Sequence, residues 1–248
     1  MGTFIAMRRG TLGWFAAAAV IVIIGAISAC EGPSMQPIGL VTTPSGEHIA
    51  IAARGDLRTA SFELASGVTT LAVHSADIGN SLYRIATPPG AGVLPATVIS
   101  DGTVVTQLVS SGISGPSLVD VTLSDNVAWT IHLDGGATEA TVDMRDGGLA
   151  ALNFGAGVSR IDVTLPSAAG TLPVVMSGGA SEFAVHAPPG VPARVALTGG
   201  AGSATIDGDT HTGIAGGTVF TPDAWDGAAQ RIDVDNTAGV SAFDLDRY

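Results

Sequence analysis

The sequence has no lysine, one cysteine and few charges, and only 5% of its 248 residues are aromatic. Each shortage excludes something. Without lysine there is no side-chain amine for Schiff-base chemistry, and all ten basic residues are arginine. A lone cysteine, Cys30, rules out any intramolecular disulfide, so no disulfide framework holds the fold. The formal net charge is −12, and beyond residue 30 eight arginines face 22 acids, a net of −14. That balance argues against nucleic-acid partners and against charge-driven binding to anionic membrane surfaces. There is no G-x-S-x-G nucleophile motif. The glycine-rich segments precede alternating runs rather than helix starts, so they lack the donors that cradle a phosphate.

The sequence is rich instead in glycine, 34 residues, and in small aliphatics within a 46% hydrophobic composition. Short Val-rich runs punctuated by glycine suit a repetitive β architecture better than a helical one.

The first 30 residues read as a targeting segment. Arg8 and Arg9 provide a positive start, and residues 15–29 are uninterrupted apolar and small residues. That stretch is shorter than the ~20 residues needed to cross a bilayer comfortably. It ends Ile27, Ser28, Ala29, Cys30, and a peptidase cleft admits only small side chains beside the scissile bond. These four residues resemble the bacterial lipobox, departing from it in having Ile27 where leucine is commonest. The resemblance implies a signal peptide over 1–29, forming a signal helix, and a Cys30 left by cleavage as the first residue, thioether-linked to diacylglycerol and further acylated by a fatty acid such as palmitate. An uncleaved anchor helix or an ordinary secretory signal are the alternatives, and each also places the remainder outside the cytoplasm. Met7 is a second candidate start.

Residues 30–58 are expected to hold the lipidated cysteine, a tether over 31–37, and two short apolar runs, 38–41 and 48–53, separated by Thr-Pro-Ser-Gly. The runs read as a hairpin or an end cap. Residues 59–248 form the remaining domain.

Internal repetition defines that domain. A glycine, a small apolar residue and usually Ser or Thr recur at Gly67, Gly136, Gly157, Gly179 and Gly239, with Gly200 a variant. From Gly136 to Gly200 the steps are 21, 22 and 21 residues. Four positions after each glycine stand Leu71, Ala140, Ile161, Phe183, Ala204 and Phe243; six positions after stand Val73, Val142, Val163, Val185, Ile206 and Leu245. Three positions before stand Leu64, Leu133, Phe154, Met176, Leu197 and, as the exception, Asn236. Period two within a unit marks half-buried strands, and the ~21-residue period marks units that bury their inner faces by stacking. The expected fold is therefore all-β: a single-domain parallel β-solenoid with coils of about 21 residues, preceded by the signal helix. Gly135-Gly136, Gly178-Gly179 and Gly199-Gly200 are expected at a corner requiring positive φ or close backbone stacking. Runs at 96–100, 104–110 and 118–123 read as strands of irregular coils, residues 208–228 as an insert, and 232–245 as one final strand.

The segment from Trp129 to Ala137, the Leu165-Pro166 step, Gly178 to Ser181 and Gly239 to Ser241 resemble the adhesin-like β-helix families of bacterial envelope proteins, related to the cell-wall-active antibiotic response proteins. The resemblance spans about residues 60–248 and is strongest after 127. It implies a parallel β-solenoid at the envelope, with no catalytic residues.

Two outward columns merit attention. Glu139, Arg160 and Glu182 lie three residues after their glycines and should form an ion-pair ladder that specifies register. Seven residues after come Asp143, Thr164, His186 and Asp207, which places His186 beside Asp207 with Asp209 and His211 close by. This set is a weak candidate for a divalent metal; its spacing is no recognised ligand motif, and Asp-Gly is a common turn. The pairs Asp233/Asp235 and Asp244/Asp246 have the ~6.6–7 Å spacing of residues two apart on a strand, within the inverting-glycosidase range. The resulting expectation is a lipid-anchored envelope protein on the extracytoplasmic face of the cell membrane. It would need no cofactor and would serve as a non-catalytic, adhesin-like structural or interaction module whose partner is an envelope protein or a cell-wall glycan. A polysaccharide-active β-helix enzyme and an envelope-stress sensor are the alternatives.

Overall fold

The computed structural model describes residues 21–22, 36–37 and 40–248, Ala168 excepted. Among the described residues there are 22 strands and no helix. The two-residue strands β1 (Ile21–Val22) and β2 (Gln36–Pro37) come first, followed by an antiparallel hairpin of β3 (Leu40–Thr42) and β4 (His48–Ala53). Then come β5 (Thr59–Leu64), β6 (Val68–Ala76), β7 (Ser81–Thr87), β8 (Val93–Ser100), β9 (Thr103–Ser110) and β10 (Leu118–Ser124). The periodic stretch supplies four strand pairs: β11 (Ala128–Leu133) with β12 (Ala137–Asp143), β13 (Gly148–Phe154) with β14 (Val158–Thr164), β15 (Gly170–Met176) with β16 (Ala180–Ala187), and β17 (Ala193–Leu197) with β18 (Ala201–Ile206). The chain ends with β19 (Asp209–Ile214), β20 (Thr218–Phe220), β21 (Gln230–Asn236) and β22 (Val240–Arg247).

Each repeat unit contributes one strand to each of two sheets. The twelve-stranded sheet runs β1-β3-β4-β7-β10-β6-β12-β14-β16-β22-β18-β19, and the ten-stranded sheet runs β2-β8-β9-β5-β11-β13-β15-β21-β17-β20. The inward residues of both sheets form a single core cluster that includes every residue of the +4 column and all of the +6 column except the half-buried Ile206. Across the core Phe154 meets Phe183 edge-on at 6.0 Å, and within the twelve-stranded sheet Phe183 meets its neighbour Phe243 edge-on at 5.5 Å, the geometry that aromatic quadrupoles favour.

The glycine corner is a consequence of that stacking. A Cβ on Gly135 would land in the backbone of Ser66, one on Gly178 in that of Ala156, and one on Gly199 in that of Ala238. The second glycine of the last two pairs has positive φ, 78° at Gly179 and 80° at Gly200. The last two pairs thus show both anticipated demands, and Gly135-Gly136 shows the close approach alone.

The expected parallel β-solenoid is not what forms. Both sheets are mixed: parallel through the middle, antiparallel at the margins, where β4 pairs with β7, β7 with β10, β8 with β9, β18 with β19 and β17 with β20. Nor do units stack in chain order. β9 and β10 lie on the opposite side of β5 and β6 from β11 and β12, and β21 and β22 lie inside, between β15/β16 and β17/β18. The insert over 208–228 explains the second departure. It forms β19 and β20, which fold back antiparallel onto β18 and β17 and occupy their outer edges. The Asp207-Gly208 turn that starts this reversal has positive φ at both positions, 48° and 93°, the two-residue turn that matches strand twist. The last pair then finds only inner edges open. The single strand expected over 232–245 is two strands, one in each sheet, and the runs expected as irregular coils over 96–123 are the regular strands β8, β9 and β10, with β9 and β10 paired parallel on one edge and antiparallel on the other. Of the expected signal helix over 1–29, only Ile21–Val22 are described, and they form strand β1; the rest lies outside the described residues.

Candidate interaction surface

Seven strands of the twelve-stranded sheet, β10, β6, β12, β14, β16, β22 and β18, run parallel side by side. At ~4.8 Å per strand their outer side chains cover about 29 Å. Register sorts them into columns. In the first, Glu139, Arg160 and Glu182 are directly aligned. Arg160 Nε donates to Glu182 Oε2 at 2.8 Å, and its Nη1 lies 3.5 Å from Glu139 Oε1. The anticipated ladder exists and stands well into solvent.

The next column carries Asp120, Asp162 and Asp244 among small residues. The third reads Thr122, His74, Asp143, Thr164, His186 and Asp246. His186 sits between two carboxylates, with Nδ1 2.5 Å from Asp246 and Nε2 3.5 Å from Asp162. Burial is the largest single influence on its imidazole and disfavours the charged form, but the hydrogen bond and charge of Asp246, joined by Asp162, outweigh it and hold the pKa above 6.5. Asp244 is raised above the usual carboxylate value, first by burial and then by Asp246, with His186 opposing. A second histidine, His74, shares its Nε2 with Thr122 Oγ1 at 3.1 Å and lies 3.8 Å from Asp120.

The four residues proposed for a metal do not come together. His186 and Asp207 are not neighbours, because the inserted β22 separates their strands and puts Asp246 beside His186. Asp207 instead takes a two-pronged bond from Arg247, at 2.7 and 3.0 Å. Asp209 opens β19, and His211 packs its ring 4.8 Å from Phe220. Among the described residues no group of three or more His, Cys, Asp or Glu could hold a metal ion. Sequence reasoning missed Asp246 as the partner of His186, although Asp246 lies seven residues after Gly239, in phase with the column. Cys30 lies outside the described residues.

Each acid pair stays on one strand, but the two pairs lie in different sheets. Asp233 and Asp235 are on β21 in one sheet, and Asp244 and Asp246 on β22 in the other. Asp233 is bound by both prongs of Arg194, and Asp235 accepts from Thr198 Oγ1 at 3.0 Å. Trp225, buried, has the guanidinium groups of Arg194 and Arg231 over its ring, 4.9 and 5.2 Å from the centroid. Trp129 is fully buried and donates Nε1 to the Ser124 carbonyl. Neither tryptophan offers a ring face to a sugar beside an acid pair. A shallow, open concavity of about 520 Å³ lies at the end of the sheet, between the 188–192 loop and Pro222 and Ala224. Its charged rim residues, Asp207, Asp246 and Arg247, are already paired with protein groups.

No protein-family model matches the chain, and no curated protein matches it. Among solved structures, the chain is similar to the crystal structure of a candidate cell adhesion protein from Clostridium sporogenes ATCC 15579, with a TM-score of 0.61 and 17% identity over 82% of this chain and 99% of the other. It also matches a candidate adhesin from Bacteroides fragilis at 10% identity over 79% of this chain and 96% of the other, but a TM-score of 0.19 gives that match no weight. The first likeness shows a shared all-β, two-sheet fold.

Proposed function

We propose that the chain is a cell-envelope lipoprotein, anchored through Cys30, that displays a non-catalytic, adhesin-like domain and binds an envelope protein or cell-wall glycan through a flat strand face. The observation carrying this reading is the outer face of the seven parallel strands. It offers aligned, exposed charges over about 29 Å with no groove in which acids and aromatics converge, which suits docking rather than bond cleavage. The fold shared with a candidate adhesion protein supports the adhesin-like part, and the lipobox resemblance supports the anchor.

Two measurements test it. Palmitate labelling of the protein and of its Cys30→Ala variant should give label only in the former; label on neither removes the lipid anchor. The purified protein should co-sediment with isolated envelope material, and Arg160→Glu, which turns the ladder wholly acidic, should weaken that binding several-fold without altering the fold. Binding unchanged by Arg160→Glu refutes the assigned face. Cleavage of an envelope glycan, abolished by one carboxylate substitution, would establish an enzyme instead.

A further inference from the structure

We propose that the C-terminal strand pair, β21–β22, is exchangeable between molecules, and that the slot it fills accepts the same pair from a second copy of this chain. The slot is built entirely from earlier segments: β15 and β17 wall it in one sheet, β16 and β18 in the other. What enters it is an inward row of Ile232, Val234, Val240, Phe243 and Leu245, each at most 5% exposed. Residues 232–245 carry that row in the right register, so a second copy of this chain is the occupant that fits.

The contacts that hold the pair are with the slot walls. Arg247 grips Asp207 and donates to the Val191 carbonyl at 2.6 Å, and Tyr248 Oη donates to the Leu165 carbonyl at 3.0 Å. His186 on β16 binds Asp246. None of these bonds depends on which molecule supplies 230–248. The pair is joined to the rest only by the mostly exposed stretch 221–229, which extended would reach about 30 Å. Two copies trading their pairs about a two-fold axis reproduce every contact of the slot, the condition under which strand exchange carries little cost. Because each strand of the pair is hydrogen-bonded on both edges, the choice is made during folding and then trapped.

The test uses the full chain with Cys30→Ala and two added cysteines, Ala184→Cys and Asp244→Cys, which face each other on β16 and β22 at the spacing of adjacent strands, within disulfide reach. The protein is refolded in detergent over a wide range of concentrations, oxidised, sized, and then denatured without reductant. The expected result is monomer with an intrachain bond at low concentration, and at high concentration a dimer whose chains stay covalently joined after denaturation. Dimers with only intrachain bonds, or monomer at every concentration, overturn the proposal. Should the first cysteine pair impair folding, Thr205→Cys with Asp244→Cys reads the other wall of the slot.

Discussion

Asn236 is fully buried at the end of β21, aligned with Met176 on one side and Leu197 on the other, and neither atom of its carboxamide has a hydrogen-bond partner in the protein. Every other unit has a large apolar side chain at this position. Replacing Asn236 with leucine removes an unpartnered amide, whose burial costs about 1–3 kcal/mol by protein mutational measures, and adds apolar burial that contributes roughly 1.5–3 kcal/mol. The larger side chain must be accommodated, which costs about 1–3 kcal/mol. The net expectation is about 2 kcal/mol of added stability, or roughly 4–8 °C in Tm for a domain of this size. Urea titration followed by the fluorescence of the buried Trp129 reads it directly, with an unchanged slope showing that the unfolded state is unaffected. An Asn236→Leu protein that is equally or less stable would refute the reasoning: the amide would then be satisfied in solution, and its polarity would be a requirement of the slot.

Two further predictions follow from the corner and from the histidine. Gly178→Ala should cost at least about 2 kcal/mol in the same titration, because its Cβ meets backbone that cannot yield, whereas Gly227→Ala, with nothing within 4 Å and no positive φ, should stay within about 0.5 kcal/mol. His186 faces Asp162 and Thr164 on β14 and Asp244 and Asp246 on β22, and its folded pKa lies above 6.5. Its contribution to stability is therefore fully present below pH ~6.5 and is lost as pH rises through the higher folded value; His186→Gln should flatten the stability profile in that window, and a profile unchanged by the substitution would count against the two-carboxylate clasp.

Much of the strand content was legible because two periods coexist in the sequence. Residues such as Ile161 and Val163 alternate, and their equivalents return about 21 residues later, so the buried face and the register of Glu139, Arg160 and Glu182 could be assigned. The paired glycines marked the corner, since only a missing Cβ allows the backbone of Gly178 to pass Ala156. Neighbour order was not legible. A repeat shows which strands can stack, but equivalent units are interchangeable as neighbours, and β22 satisfies β16 as well as β18 would. What decided was the hairpin-forming insert over 208–228, whose role lay in the edges it covered rather than in any residue it placed in the core. The error carried into the site: assuming chain order set His186 beside Asp207, whereas insertion set it beside Asp246.

That insertion also governs how the molecule must be made. Met176 is aligned with Asn236, sixty positions later, and Leu165 is bonded by Tyr248, eighty-three positions later. A nascent chain emerging from the ribosome therefore cannot close its stack progressively in chain order; the interior between β15 and β17 stays open until residues 230–248 arrive. Completion waits on residues 230–248, and such distant pairing makes for slow folding. A chain lacking 230–248 through premature termination or proteolysis would present four unpaired strand edges, those of β15, β16, β17 and β18, and an uncovered apolar slot, the signature by which quality-control machinery recognises an unfinished protein.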